Sequence, residues 1–340
     1  MRYVEIAPGE VKVTDGEPPV APPGWARVRV LACGLCGSDL RLARGMALPK
    51  GVTYPLRPGH EVAGVIESMP ERAPVPLEEG ELVVLHPLSP CGQCVACLSG
   101  HEQRCPNAKV LGIHEPGGMA ELVVWPLRRM LGVPGMEAPQ AALLTDAVST
   151  AFHALRLAAL PATGRLCVIG AGGVGEQVLR VARALVPAAT LAAVVRSEAS
   201  ASRIDRLGVL AVTGLEGAAE RLRRDGGRFD AVVDFSGAQG AAAEAVRMLA
   251  PGGRLVIGSV GDASFELRTT ISGVATRELQ VLGCYVSTLA DLRAVIKLAR
   301  SGRLDLSGAV SELVPLAEAP QTFERLERRT EGFARLVLQP

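Results

Sequence analysis

The chain predicts an α/β protein in two parts, a mostly β unit and a doubly wound parallel sheet, and three observations carry that expectation. Six apolar strand-like runs fall within residues 148–284, separated by Ala-, Leu- and Arg-rich helical stretches, the pattern of successive βαβ units. The first of these runs ends in a glycine-rich turn that opens a helix. Ahead of them, residues 1–147 are punctuated by Pro and Gly and hold short alternating runs, Ala26-Arg27-Val28-Arg29-Val30 and Glu81-Leu82-Val83-Val84-Leu85, as irregular antiparallel β structure does.

In order, the strands expected in the second part are Leu166–Ile169, Leu191–Val195, Val209–Val212, Ala231–Phe235, Leu255–Ile257 and Leu279–Leu282. Residues 285–340 read as a helix over Ala290–Arg300, a strand near Glu312–Val314, another helix and a last strand, Ala334–Leu338. This tail is expected to return to the first part. With 340 residues, 48% apolar, 21% charged and a formal net charge of +1, the chain has the size of two domains and no basic excess for nucleic acid. No apolar run reaches the length of a membrane span, and MRYVEIAPGEV has neither the basic start nor the apolar stretch of a signal peptide. A cytoplasmic protein acting on small molecules, with no nucleic-acid or membrane partner, is the expectation.

Four cysteines, Cys91, Cys94, Cys97 and Cys105, stand in one short loop at gaps of two, two and seven residues. Thiolates so spaced can all face one tetrahedral ion, and a set of four is a preferred closed shell for structural zinc. Two disulfides or four unrelated thiols are the alternatives. Cys167 and Cys284 lie in apolar strand-like runs, as buried thiols do.

The glycine turn reads Gly170-Ala171-Gly172-Gly173-Val174-Gly175, with a helical pattern from Glu176 to Val186. At the junction of strand and helix this is a dinucleotide fingerprint. Gly170 allows the turn, Gly172 admits the pyrophosphate to the backbone, Gly175 lets helix and strand close, and the helix N-terminus offers free N–H groups to the phosphates. The second strand should end in an acid that binds the adenosine ribose, and Val195 stands there instead, followed by Arg196 and Ser197. Without the carboxylate, nothing repels a 2′-phosphate that Arg196 and Ser197 could bind, which favours NADP. NAD remains open, since an arginine here can also lie against the adenine.

A second set of metal-ligand types flanks the cysteine loop: Cys36 after a strand, His60-Glu61 in a Pro58-Gly59 turn, and Asp146 at the start of a helix running to Phe152. A thiolate, an imidazole and a carboxylate with one open position would make a catalytic zinc site. Each also has a plain reading, as a buried thiol, a turn histidine and a helix N-cap.

Together, Gly34-Leu35-Cys36-Gly37-Ser38-Asp39, Gly59-His60-Glu61, the four cysteines, Gly112-Ile113-His114, Gly117-Gly118-Met119-Ala120-Glu121, Asp146 with Ser149-Thr150, and Gly170 to Gly175 resemble the zinc-containing medium-chain alcohol dehydrogenase family over essentially the whole chain. The resemblance implies a GroES-like, mostly β catalytic domain (1–147, completed by 285–340) and an inserted Rossmann domain (148–284). It implies catalytic zinc on Cys36, His60 and Asp146, with Glu61 beside the metal and Asp39 orienting the histidine, and structural zinc on Cys91, Cys94, Cys97 and Cys105. Ser38 would accept the alcohol proton, and Thr150 and Val174 would pack on the nicotinamide. Five residues after Cys36, where many relatives carry a relay histidine, this chain has Arg41, which cannot accept a proton at neutral pH. The implied reaction is reversible hydride transfer between an alcohol, a secondary alcohol or polyol by preference, and NAD(P). A zinc-free NADPH quinone or enoyl reductase on the same scaffold and a non-catalytic nucleotide-binding protein are the alternatives. The substrate pocket is expected from Met46, Leu48, Tyr54, His86, Leu88 and His114. The family suggests a homodimer or homotetramer, with the strand edge near Leu279–Val286 as a candidate contact.

Overall fold

The architecture is taken from a computed structural model that describes all residues except 72, 74, 225, 262–263 and 329–334. In the first part, β1 (Arg2–Ala7) and β2 (Glu10–Asp15) form a hairpin, and β3 (Trp25–Gly34) leads through Leu35 and Cys36 into a short helix α1 (Gly37–Ala43). The alternation read in residues 26–30 is the pleat of β3, whose Ala26, Val28 and Val30 are buried. β4 (Glu61–Ser68), β5 (Leu82–Leu85) and β6 (Leu88–Ser89) follow. The cysteine lobe then carries α2 (Val95–Leu98), and the chain continues through β7 (Lys109–Val110), β8 (Leu122–Pro126) and β9 (Met130–Gly132).

A long helical run comes next: α3 (Ala138–Leu143), a π turn over Leu144–Val148, and α4 (Ser149–Ala158). Asp146 therefore does not begin a helix, as the sequence suggested; it lies inside one that starts eight residues earlier. Its buried apolar neighbours Ala142, Leu143, Leu144 and Val148 carry the run into the core. Nothing in the local pattern marks the π turn, which carries Asp146 as an extra-wide turn inside the helical run, a feature often found at functional sites.

The second part alternates as expected: β10 (Arg165–Ile169), α5 (Gly175–Leu185), β11 (Thr190–Val195), α6 (Glu198–Asp205), β12 (Leu210–Thr213), α7 (Ala218–Arg224), β13 (Phe229–Asp234), α8 (Ala241–Met248), β14 (Leu249–Ile257), α9 (Ile271–Ala275) and β15 (Gln280–Gly283). These six strands form one parallel sheet in the order β12-β11-β10-β13-β14-β15, the doubly wound order that reverses beside β10. β14 begins six residues earlier than its apolar run suggested.

The tail supplies α10 (Leu289–Arg300), β16 (Glu312–Pro315), α11 (Ala319–Arg328) and β17 (Leu336–Gln339). β17 pairs antiparallel with β3, so the last strand lies in the seven-stranded sheet of the first part, ordered β16-β17-β3-β4-β5-β9 with β8 also on β3. Ala334, expected to open this strand, lies outside the described residues.

Buried polar contacts tie the cysteine lobe to α4 and α10. Asp291 accepts from the Thr288 backbone at 3.0 Å, caps α10 with it, and meets His153 Nδ1 at 2.9 Å and Arg156 at 2.5 Å on α4. Gln103 lies 3.3 Å from the other His153 nitrogen, and the Leu289 N–H donates to Glu102 at 2.6 Å. Burial alone would raise the Asp291 carboxyl, but the hydrogen bonds from His153, Thr288 and Arg156 hold it well below its ordinary value. The unfolded chain thus binds more protons at this site than the folded one, and stability rises with pH across the interval between the two pKa values. Asp291→Asn is expected to lower stability by about 1–3 kcal/mol at neutral pH. In urea titrations at several pH values the deficit should shrink only as pH falls below about 4; a deficit constant down to the acid limit would refute the charge argument.

Candidate active site

Cys36 stands where β3 turns into α1, and its backbone N–H donates to Asp39 Oδ2 at 2.9 Å, which fixes the entry of the helix. His60 follows the Pro58-Gly59 turn, which is held by the loop carrying Gly117-Gly118. Gly117 N donates to Arg57 O at 2.8 Å and Gly118 N to Gly59 O at 2.9 Å. A Cβ on Gly117 would stand 2.4 Å from two carbonyl oxygens, Pro58 O and Gly59 O, so only glycine lets the two backbones lie together. Asp146 reaches the same point from the π turn, 110 residues after Cys36.

The three side chains converge. Cys36 Sγ and Asp146 Oδ2 are 3.8 Å apart, and His60 Nε2 is 3.5 Å from the same oxygen, while His60 Nδ1 faces Asp39 at 3.5 Å on its other side. Ligand atoms of Cys36, His60, Glu61 and Asp146 all lie within 4.8 Å of one another. Thr150 donates to Asp146 Oδ1 at 2.8 Å and so fixes the carboxylate, a part the sequence did not assign to it. Behind the cluster, fully buried Glu61 pairs with Arg335 at 3.0 Å, and Arg335 also donates to Leu35 O. Sequence reasoning missed Arg335. Its one signal was a charged residue opening the otherwise apolar final strand.

The electrostatics are those of a cation site. Burial pushes the Cys36 thiol up, yet the hydrogen bond and charge of His60 outweigh it and the net shift is downward. Burial likewise opposes ionisation of Asp146, but His60 and Thr150 hold its carboxyl well below the ordinary range. For His60, burial favours the neutral ring and Asp39 with Asp146 overrides it, raising its pKa well above the usual value. The downward shifts of Cys36 and Asp146 favour their metal-binding, ionised forms, and the negative surroundings that raise His60 would draw zinc to its ring nitrogen in place of the proton, with Asp39 fixing the imidazole from its far side.

The four cysteines fit their metal equally well. Zinc–sulfur bonds of about 2.3 Å give a tetrahedron with sulfur edges of about 3.8 Å. The observed Sγ separations are 3.5 Å for Cys94 and Cys97, 3.5 Å for Cys91 and Cys105, and 3.9 Å for Cys91 and Cys97. Backbone N–H groups of Gln93 and Cys94 bring the Cys91 thiol down to about 6, while desolvation and Cys94 raise Cys97. All eight cysteines are free thiols, so the disulfide reading falls away.

Both glycine turn and cluster open on one cleft of about 550 Å³. Its walls include Cys36, Ser38, Arg41, His60, Asp146, Thr150 and Arg335 on one side and Gly170, Gly172, Gly173, Val174 and Gly175 on the other. Gly170 has φ +83° and its missing Cβ would meet the Ser236 backbone at 2.7 Å; a Cβ on Gly175 would meet Gly170 O at 2.2 Å. Arg203 braces this turn, donating to Ala171 O at 2.7 Å and pairing with buried Glu176 of α5. At the end of β11, Val195 is buried, Arg196 is exposed, and Ser197 caps α6 by accepting from Ser200 N at 3.3 Å.

The substrate pocket needs correction. Met46, Leu48 and Leu88 line the cleft, joined by Val110, Ile113 and Tyr285, but Tyr54, His86 and His114 do not. The Tyr54 hydroxyl donates to Leu42 O and Met46 O, shaping the wall from behind. His86 is fully buried; burial and then the adjacent Arg129 bring it down to about 3, so it is neutral and accepts from Arg129 at 2.7 Å. His114 Nδ1 accepts from Val110 N at 3.1 Å within its own loop.

Elemental analysis of the purified protein is expected to give two zinc ions per chain, and one in each of Cys94→Ser and His60→Ala. Loss of both ions from either variant would contradict two independent sites.

Comparison with known proteins agrees with this geometry. Residues 22–135 match the alcohol dehydrogenase GroES-like domain and residues 173–301 the zinc-binding dehydrogenase domain. The chain is 30% identical over 351 residues to an NAD-dependent alcohol dehydrogenase of Sulfurisphaera tokodaii, covering 100% of this chain and 99% of that one. It is 29% identical to the 2-dehydro-3-deoxy-L-galactonate 5-dehydrogenase of Pseudoalteromonas atlantica, covering 96% and 94%. Among solved structures, alcohol dehydrogenase TADH from Thermus sp. ATN1 superposes with a TM-score of 0.90 at 28% identity, over 100% of this chain and 99% of that one. With two domain matches spanning most of its length and a cysteine, a histidine and an aspartate meeting at the mouth of a dinucleotide turn, the chain belongs to the zinc-containing medium-chain alcohol dehydrogenase family.

Proposed function

We infer that the chain is a zinc-dependent oxidoreductase that moves a hydride between an alcohol, a secondary alcohol or polyol by preference, and NAD(P), giving the ketone or aldehyde. The observation that carries this reading is that the Cys36, His60 and Asp146 cluster and the Gly170–Gly175 turn face one cleft. An alcohol carbon releases hydride readily only as its hydroxyl loses a proton; zinc bound by these ligands supplies the Lewis acidity for that loss, and the nicotinamide accepts the hydride.

The residues of the chain divide the remaining work. Ser38, with a buried hydroxyl that has no partner among the described residues, is the group for the substrate proton. Arg41, a donor only, cannot take the proton onward. Thr150 and Asp39 hold Asp146 and His60 in their ligand geometry, and Arg335 offsets in part the burial that pushes the Glu61 carboxyl well above its ordinary value. The apolar wall of Met46, Leu48, Leu88 and Ile113 excludes water from the reacting carbon.

The domain division 1–147 with 285–340, and 148–284, is supported by the sheet to which each strand belongs. Self-association as a homodimer or homotetramer is supported by β15, the outer strand of its sheet, with Val281 40% exposed. Among the described residues no helix is long and apolar enough to cross a membrane, in keeping with a cytoplasmic enzyme.

Cys36→Ala or Asp146→Ala is expected to cut turnover of secondary alcohols about a thousandfold or more while the four-cysteine zinc stays bound. Full activity in either variant would sink the mechanism. For the cofactor, Val195 and Arg196 favour the 2′-phosphorylated form. Nicotinamide fluorescence titrations should give NADPH a roughly tenfold tighter Kd than NADH, about 1.4 kcal/mol, and Arg196→Ala should erase the difference. Tighter NADH binding would mean that Arg196 only packs against the adenine.

A further inference from the structure

Two arginines reach the cleft, and they differ in what they meet. Arg335 is paired with Glu61. Arg41 is not paired: its Nε is buried without a hydrogen-bond partner, and among the described residues no carboxylate lies in ion-pair contact with its guanidinium. The apolar side chains of Met46, Leu48, Leu88 and Ile113 share that cleft. The side chain is half-buried: Nε is out of reach of solvent while the terminal nitrogens stay open to the cleft, and the planar fork suits a carboxylate through two parallel hydrogen bonds. Ser38, one helical turn earlier on α1, also lines the cleft with its buried hydroxyl unpartnered. Side chains three apart on a helix are neighbours, about 5–6 Å between Cβ atoms. α1 therefore offers the cleft two unmet polar groups side by side, one suited to a hydroxyl and one to an oxyanion.

We propose that Arg41 forms a carboxylate-binding subsite and that the preferred substrate is a hydroxy acid, carrying its carboxylate a few carbons from the hydroxyl that is oxidised. This rests on the dehydrogenase reading above and narrows its substrate class. A phosphate of the cofactor is the other oxyanion that could reach Arg41. The Gly170–Gly175 turn and the N-terminus of α5 already form a backbone cradle for those phosphates, which leaves Arg41 for the substrate.

The test compares wild type with Arg41→Gln and Arg41→Lys, all as zinc-loaded full chains. Arg41 makes no internal hydrogen bond through Nε, so neither change removes such a contact. Turnover is measured on aldonates and on the matching neutral alditols. In a second arm, binding of a non-oxidisable carboxylate, butyrate, to the enzyme with NADPH is followed by nicotinamide fluorescence, and in a third the Kd for NADPH alone is taken. The expected result is that wild type prefers acids. Arg41→Gln should lose about 10- to 100-fold in kcat/KM on acids and much less on alditols, lose butyrate binding, and keep its NADPH Kd. Arg41→Lys should fall between the two. Equal losses on acids and alditols overturn the proposal, as does a wild type that prefers alditols. Weaker NADPH binding with undiminished butyrate binding would assign Arg41 to the cofactor instead. If wild type oxidises neither class, the hydroxy-acid proposal and the polyol preference both fail, whereas inactivity on simple secondary alcohols as well would sink the dehydrogenase reading itself.

Discussion

A thiolate and a carboxylate buried 3.8 Å apart repel each other unless a cation stands between them, and much of this structure is arranged to meet that condition. The ligands do not come from one segment. They come from the end of β3, the turn before β4 and the π turn between α3 and α4. Each arrival has its own support: Asp39 under the start of α1, the Gly117-Gly118 loop against Pro58-Gly59, and Thr150 on Asp146. Further out, Arg335 offsets Glu61 and keeps the buried charge near balance.

The cysteine lobe has a mechanical place in the same scheme. Glu102 and Gln103 lie between its third and fourth cysteines, and both reach across to α10 and α4. Glu102 also holds Arg129 by two contacts, and Arg129 in turn holds His86, whose far nitrogen faces Ser287 at 3.4 Å. Ser287 donates to Ser149, three residues beyond Asp146. A closed metal shell that stiffens a loop thus also stiffens the wall on which a catalytic ligand is mounted.

How much of this was legible in the sequence depended on whether a feature was local. The four cysteines, the Gly170–Gly175 turn and the six strand runs each carry their meaning within about twenty residues, and all appear where the pattern put them apart from the earlier start of β14. The ligands Cys36, His60 and Asp146 have plain local readings, and only their joint order with the other motifs singled them out. Asp146 reads locally as the start of a helix, whereas the helical run begins at Ala138 and passes through a π turn that no short-range pattern marks. His86 looked like a pocket residue, but an arginine 43 positions later takes its ring nitrogen. Arg335 gave only the signal of a charge in an apolar final run, since its partner Glu61 lies about 270 residues earlier and no short-range rule joins them.

That pairing has a consequence in time. Glu61 leaves the ribosome about 270 residues ahead of Arg335, which at about 5–20 residues per second is a delay of tens of seconds. During it the buried carboxylate has no counter-charge, and β3 lacks the antiparallel neighbour that β17 later provides. The zinc-ligand pocket of the first part keeps an open flank until Arg335 and β17 have been made. All six strands of the dinucleotide sheet therefore emerge before the strand that completes the sheet of the first part.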